Sequence, residues 1–221
     1  YNLREIRKAI KEVTLSRPDL TSAPHELTYG QKHAQSVVLH QLGLQRLYSQ
    51  MPDAALDYFK AAVAENPGYY EIYVSLVGAF DGSGRAAEGI AFFNQLVSKR
   101  DDDMRLRAAL ALMHCRAGDI DEAKQQYGVL LAQDFHDSDY FISFTQALAQ
   151  EHRYDDALEF IRTAGLKESS ALRSLLEAMV LNERGEHGVS LAILQPLQEE
   201  LKGEPLLSTE LVRTYAGLNQ P

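Results

Sequence analysis

The sequence predicts an all-α solenoid built from about five consecutive helix pairs. The first reason is an internal period of 34 residues, at which small residues recur in one column: Ala55, Gly89, Ala123 and Ala157. The second reason is that apolar residues recur at three- and four-residue spacing on both sides of a polar break in each period. A fixed period of this length indicates an array of stacked units rather than a single wrapped core.

Further columns keep the same register without an insertion. They are Phe59, Phe93, Tyr127 and Ile161; Leu42, Leu76, Leu110 and Phe144; and Ala62, Leu96, Leu130 and Ala164. A fifth unit follows at a step of 33, which leads from Ala157 to Ser190 and from Ile161 to Leu194. We expect the missing residue to have been lost from the linker near residues 165–170.

Each unit is predicted to be two helices joined by a tight turn. The turns fall in one column, at Gln50, Gly84, Gly118, His152 and Gly185. This spacing predicts helix pairs near residues 36–65, 70–99, 104–132, 138–164 and 171–201. Small residues in the Ala55 column allow the two helices of a pair to approach closely, and the aromatic column fills the space beside them.

Start and stop signals support these boundaries. Asp119 and Glu122 have the spacing of a capping box, and Pro52 stands where a first-turn proline is tolerated. Pro196 lies within a predicted helix, so we expect a kink or a restart there.

Two segments lie outside the period. Leu3, Ile6, Ile10 and Val13 form an apolar stripe that predicts a helix near residues 2–14, followed by an irregular connection up to residue 35. This helix either caps the first unit or fills the binding groove. At the other end, a helix near 206–218 is predicted to cover the fifth unit with one apolar stripe: Leu207, Leu211, Tyr215 and Leu218.

The repeated unit resembles the tetratricopeptide repeat over roughly residues 36–201. The residues that carry the resemblance are Leu42, Gly43, Ala55, Phe59, Ala62 and Pro67. It implies a right-handed solenoid with repeats at 36–69, 70–103, 104–137, 138–170 and 171–205, flanked by the N-terminal segment 1–35 and a C-terminal capping helix at 206–221. The family is a scaffold used by many processes, so the resemblance is specific for fold and unspecific for function.

Composition and charge exclude several classes of function. The 221 residues carry a net charge of −9, which disfavours binding to nucleic acid. The single cysteine, Cys115, excludes an intrachain disulfide. No apolar run reaches the roughly 18 to 20 residues that a membrane-spanning helix requires, so no membrane insertion is expected. We expect a soluble chain, with the cytoplasm favoured over the periplasm or secretion. The chain begins at Tyr1, which favours a processed or partial chain.

No motif in the sequence supports catalysis, a metal or a cofactor. Residues 25–29 begin like a zinc-protease motif but end in Tyr29 instead of histidine. The glycine-rich stretch from Gly82 to Arg85 lacks the lysine and the strand of a phosphate loop and is better interpreted as an inter-helix turn. The acidic run at 101–103 is expected to cap a helix. Cys115 is expected to act as a small hydrophobic residue.

The resemblance implies that the first helices of the repeats line a concave binding groove. The residues predicted to lie in that groove are Val37, His40, Leu44, Leu47, Tyr48, Glu71, Val74, Gly78, Arg105, Ala108, Leu112, Arg116, Asp139, Ile142 and Gln146. The centre would be largely apolar, with alternating charges along one rim. This assignment also predicts that Ala123→Leu destabilises the protein far more than Leu112→Ala, because it places Leu112 in an open groove.

We therefore expect a non-catalytic scaffold or adaptor that binds an apolar or amphipathic segment of another protein. The alternative is an architectural spacer or self-association module, which would include a homo-oligomer. Tetratricopeptide domains that bind the C-terminal carboxylate of heat-shock chaperones use cationic and amide side chains in fixed columns. Here those columns hold His40, Leu44, Ser75, Arg105 and Ala109, so that subclass is not expected.

Overall fold

The computed structural model describes residues 29–164 and 169–219. Within these two ranges the chain forms eleven α-helices and no β-strand, which confirms the predicted all-α class. The helix predicted near 2–14 lies outside the described residues. No helix in the described ranges is long and apolar enough to cross a membrane.

The chain divides into two compact units, residues 1–96 and 97–221. The first unit contains α1 (Tyr29–Tyr48), α2 (Pro52–Glu65), α3 (Glu71–Gly82) and α4 (Ala86–Val97), the last of which ends at the boundary. The second unit contains α5 (Met104–Arg116), α6 (Ile120–Ala132), α7 (Ser138–Gln150), α8 (Tyr154–Ala164), α9 (Ser170–Glu183), α10 (His187–Glu200) and α11 (Pro205–Leu218). These are the five predicted helix pairs followed by the predicted terminal helix.

The first helix begins earlier than the sequence analysis predicted. It starts at Tyr29, so Gly30 lies inside a helix rather than in an irregular connection. The extra turn is held by His33, whose ring stacks on Tyr29 and contacts Tyr69 edge-on at a ring-centroid distance of 5.2 Å. Contacts made by side chains distant in sequence therefore outweigh the weak helix propensity of glycine.

The turn column has one backbone conformation in all five pairs. Gln50 and His152 have φ of 58°, and Gly84, Gly118 and Gly185 have φ of 68°, 80° and 86°. This left-handed region closes a helix with little cost for glycine and at a cost for other residues. The shared geometry at steps of 34, 34, 34 and 33 residues confirms the predicted register.

The small-residue column lies where the paired helices approach each other. Ala55, Gly89, Ala123, Ala157 and Ser190 are all buried. In the first pair Gly43 also allows a close approach, since an added Cβ there would stand 2.3 Å from the ring of Phe59.

Two of the predicted capping features are confirmed and one is wrong. Asp103 caps α5 by accepting hydrogen bonds from the backbone N–H groups of Arg105 and Leu106, and Pro52 stands in the first turn of α2. Asp119 makes no side-chain capping bond, because its backbone is not in the extended conformation that aims the side chain at the next turn. Helix α10 continues through Pro196 without a restart.

The terminal helix α11 packs through the first half of the predicted stripe, because Leu207 is buried and Leu211 is partly buried against an apolar cluster of the fifth pair. The other buried residues of α11 are polar, Glu210 and Thr214, whereas Tyr215 and Leu218 in the second half of the stripe are each 46% exposed. Glu210 accepts a hydrogen bond from the Asn182 side chain at 2.9 Å, and Thr214 donates one to the same side chain at 2.9 Å. Hydrogen bonds across the interface therefore set the orientation of α11, which hydrophobic periodicity alone could not predict.

Candidate functional site

The residues predicted to line the groove fall on different units, and each unit is described separately. In the first unit they lie on α1 and α3, which are held together by a hydrogen bond of 2.9 Å between His40 Nε2 and Ser75 Oγ. The structure therefore brings the predicted residues of this unit onto two neighbouring helices.

Most of the predicted residues of the first unit remain accessible. Tyr48 is 81% exposed, and Val37, Leu44, Leu47 and Val74 are partly buried. Gly78 is exposed, and an added Cβ there would meet no atom within 4 Å. We call these six residues the first-unit face. Glu71, at the start of α3, adds an exposed carboxylate.

The structure corrects the prediction that His40 lines the open groove, because only 6% of this residue is exposed. Its Nδ1 lies 3.1 Å from the hydroxyl of Tyr69, and its ring packs edge-on against Phe59. Burial lowers the pKa of His40, and the carboxylate of Glu71 offsets only part of that effect. The imidazole is thus enclosed by the chain and links α1, the linker and α3.

No signal in the sequence predicted this contact. Tyr69 lies in the linker between two predicted helices, and no periodic column assigns it a partner. Burial and the nearby carboxylate of Glu71 both raise the pKa of Tyr69, so its hydroxyl keeps its proton and can donate to His40.

In the second unit the predicted residues lie on α5 and α7, and the centre of this set is closed. Ala108 is 1% exposed and Leu112 is 3% exposed, so neither lines an open groove. The reason is that α5 is covered on almost every side: Leu106 and all residues from 108 to 115 are buried. The predicted open apolar centre is therefore wrong at Ala108 and Leu112.

The remaining predicted residues of the second unit are polar or lie at its edge. Arg105 Nε donates to Asp137 at 3.2 Å, and Arg116 donates to the side chain of Gln150. Asp139 is exposed, and Ile142 and Gln146 are partly buried. This face of the second unit presents charge and amide groups around a buried centre.

The other motifs identified from the sequence have structural roles. Gly84 forms the turn between α3 and α4, and Arg85 beside it pairs with Asp53 and Glu88. Burial raises the pKa of the Cys115 thiol to about 12, so the reactive thiolate does not form near neutral pH. Among the residues that the structure describes, no cluster of histidine, cysteine and carboxylate side chains could hold a metal ion.

Comparison with known proteins agrees with the repeat pattern. Residues 46–113 match the family model of the tetratricopeptide repeat. The matched segment therefore has the sequence of tetratricopeptide repeats. A solved structure of a thermophilic tetratricopeptide-repeat protein from Thermus thermophilus is 18% identical, and the alignment covers 84% of this chain and all of that one with a TM-score of 0.53. That likeness shows the fold alone.

Two other similarities involve tetratricopeptide-repeat proteins. A solved structure from Parabacteroides merdae ATCC 43184 is 16% identical over 84% of this chain and 74% of that chain, with a TM-score of 0.47. A curated relative from Fusarium oxysporum f. sp. lycopersici is named tetratricopeptide repeat and J domain-containing co-chaperone DNJ1 and is 32% identical over 103 residues. The match spans 47% of this chain and only 19% of that relative.

Proposed function

We propose that this tetratricopeptide-repeat chain is a non-catalytic interaction module that binds an apolar or amphipathic segment of a partner protein on the first-unit face. The observation that carries the proposal is the contrast between two corresponding faces. Leu44 on α1 is partly open to solvent, whereas Leu112 on α5 is enclosed.

The composition of the first-unit face suits protein binding. Tyr48 offers a large amphipathic side chain, and tyrosine is enriched in protein interfaces because one end is apolar and the other can form hydrogen bonds. Gly78 leaves room for a bound segment to approach the backbone of α3 closely. The co-chaperone name of the curated relative supports a protein partner and identifies no particular one.

The test is site-specific photo-crosslinking in cells of the source organism. A photoreactive phenylalanine analogue replaces Tyr48, and crosslinked peptides are identified by mass spectrometry. Leu44→Asp is introduced in the same background, because a carboxylate there would be desolvated by an apolar ligand and left unpaired. Val38→Asp is the matched control, since Val38 is a 50% exposed apolar residue of the same helix outside the face.

The proposal expects one defined apolar segment to be crosslinked, the Leu44→Asp variant to lose that product, and the Val38→Asp variant to keep it. Circular dichroism should show the same helical content in all three proteins. Retention of the product by Leu44→Asp, or equal loss by Val38→Asp, would refute binding through the first-unit face.

A second candidate, self-association, is favoured by the terminal helix. Val212, Tyr215 and Leu218 lie on one side of α11 and are exposed, although all three are large apolar side chains. Sedimentation of the full chain would show a dimer that Val212→Glu disrupts if this surface joins two copies. A monomer at all concentrations would reject this candidate.

A further inference from the structure

A second surface that the groove prediction does not include lies between α6, α7 and α8 of the second unit. It is a hollow of about 130 Å³, open to solvent on one side. The hollow lies on the second helices of two successive pairs, α6 and α8, whereas the predicted groove lies on first helices. Its walls come entirely from within the second unit.

The floor of the hollow is aromatic. The ring of Phe160 packs edge-on against Tyr127 and Phe144, at centroid distances of 4.6 and 4.9 Å. The rings of Tyr127 and Phe144 lie 4.8 Å apart. Because the three rings hold one another, the floor is preformed and does not need to be ordered when a ligand binds.

One wall is open because of a glycine inside a helix. Gly128 lies in the middle of α6, and an added Cβ would meet no atom within 4 Å. Glycine in a helix interior is unfavourable relative to alanine, and no close neighbour or unusual backbone angle requires it here. The missing side chain leaves the space in front of the aromatic floor free. An apolar cavity of about 150 Å³ is large enough for benzene, so this hollow suits a leucine or phenyl side chain.

The rim of the hollow carries a network of two cationic and two anionic side chains. Lys124 binds Asp156 at 2.8 Å, and Asp156 also binds Arg153 at 2.6 Å, so that carboxylate is fully paired. Burial raises the pKa of Asp156, but the hydrogen bonds from Lys124 and Arg153 outweigh burial and hold the pKa below its usual value. Glu159 is 62% exposed and reaches Lys124 only at 3.5 Å. Glu159 is therefore the more weakly paired of the two carboxylates, and its exposed oxygen can also bind an incoming cation.

We propose that this hollow binds a protein segment that presents one large apolar side chain beside a lysine or arginine. The apolar side chain occupies the space in front of Gly128 and rests on the ring of Phe160. The cationic side chain binds the carboxylate of Glu159 at the rim. This site is separate from the first-unit face and does not depend on the function proposed for that face.

The test is nuclear magnetic resonance titration of the full 221-residue chain with a synthetic peptide. The probe is an alanine-based helical peptide with one leucine and one lysine four residues later. A second peptide replaces the leucine by alanine, and a third replaces the lysine by glutamate. The signals followed are the backbone amide of Gly128 and the methyl group of Thr163, both of which belong to lining residues.

The protein variants separate binding from stability. Gly128→Leu fills the hollow and should lower affinity for the leucine-lysine peptide about ten-fold or more, while the melting temperature stays equal or rises. Gly188→Leu is the matched control, because Gly188 is another helical glycine with open space and lies outside the hollow. Glu159→Gln should lower affinity for that peptide about two- to five-fold, and it should leave binding of the glutamate peptide no weaker.

The proposal requires that the leucine-lysine peptide shifts both signals and that removal of the leucine abolishes the effect. It is overturned if Gly128→Leu binds the peptide as well as the parent protein, or if Gly188→Leu weakens binding equally. It is also overturned if the Gly128 signal moves with protein concentration and not with peptide, because the occupant would then be a second copy of the chain.

Discussion

Replacing Leu112 by alanine tests whether α5 is enclosed or forms an open wall. Only 3% of Leu112 is exposed, and its neighbours on both sides in the chain are buried as well. Truncation of a leucine in such a site removes its transfer free energy and leaves a cavity, so the free energy of unfolding should fall by about 2–5 kcal/mol. Leu44→Ala should cost about 1 kcal/mol, because Leu44 is already partly exposed in the folded state.

Urea unfolding followed by far-ultraviolet circular dichroism measures the difference. With a denaturant dependence of about 2 kcal/mol per molar, the midpoint of the transition that includes α5 should fall by about 1–2.5 M for Leu112→Ala. Ala123→Leu overpacks a helix contact and should cost about 1–3 kcal/mol. With Leu112 buried, Ala123→Leu is not expected to be more destabilising than Leu112→Ala, contrary to the prediction from the sequence. A midpoint for Leu112→Ala at or above that of Leu44→Ala would refute the enclosed position of α5.

Two further outcomes follow from the turn geometry and from the buried histidine. Both Gln50 and Gly118 have positive φ, which glycine adopts more easily than other residues. Gln50→Gly should therefore stabilise the protein by up to about 1 kcal/mol, and Gly118→Ala should destabilise it by about 1–2 kcal/mol. Equal urea midpoints for the two variants would contradict this expectation. Because the pKa of His40 is lowered by burial, with Glu71 opposing, the unfolded chain takes up the proton first as the pH falls through the ordinary value of 6.5. Stability should therefore be complete above about pH 6.5 and decline below it. A His40→Gln variant should show a smaller decline between about pH 8 and about pH 5.5, and an identical decline in urea midpoints would exclude His40 as the cause.

The features that the sequence predicted correctly are those set by contacts that recur at a fixed spacing. The turn at Gly118 and the close approach at Ala123 depend on neighbours within one repeat, and the period displays both. Leu112 could not be placed in the same way, because its burial depends on how completely α5 is surrounded. The cap expected at Asp119 failed because spacing does not specify backbone angles, although the same reasoning succeeded at Asp103.

The candidate sites were less predictable than the fold. The prediction identified Leu44 and Tyr48 as groove residues, and both remain accessible in the structure. It did not identify the hollow beside Gly128, because the hollow is formed by three helices and its floor is made of residues that a periodic pattern assigns to the core. The contact between His40 and Tyr69 could not be predicted either, because Tyr69 lies in a linker and occupies no position in the repeated pattern.

The polar face of α11 restricts which helix can pack against the end of the second unit. The end of the fifth pair offers α11 a side-chain amide at Asn182 and a hydroxyl at Ser190, and Thr214 lies within hydrogen-bonding distance of both. A foreign helix with only apolar residues would leave the side-chain N–H groups of Asn182 buried without the acceptors that Glu210 supplies, at a cost of about 1–3 kcal/mol. Ser190 would keep its hydrogen bond to the backbone carbonyl of Ala178. This end of the array therefore discriminates between its own last helix and an unrelated one, and an exchange of ends between copies would have to reproduce the same polar pairing.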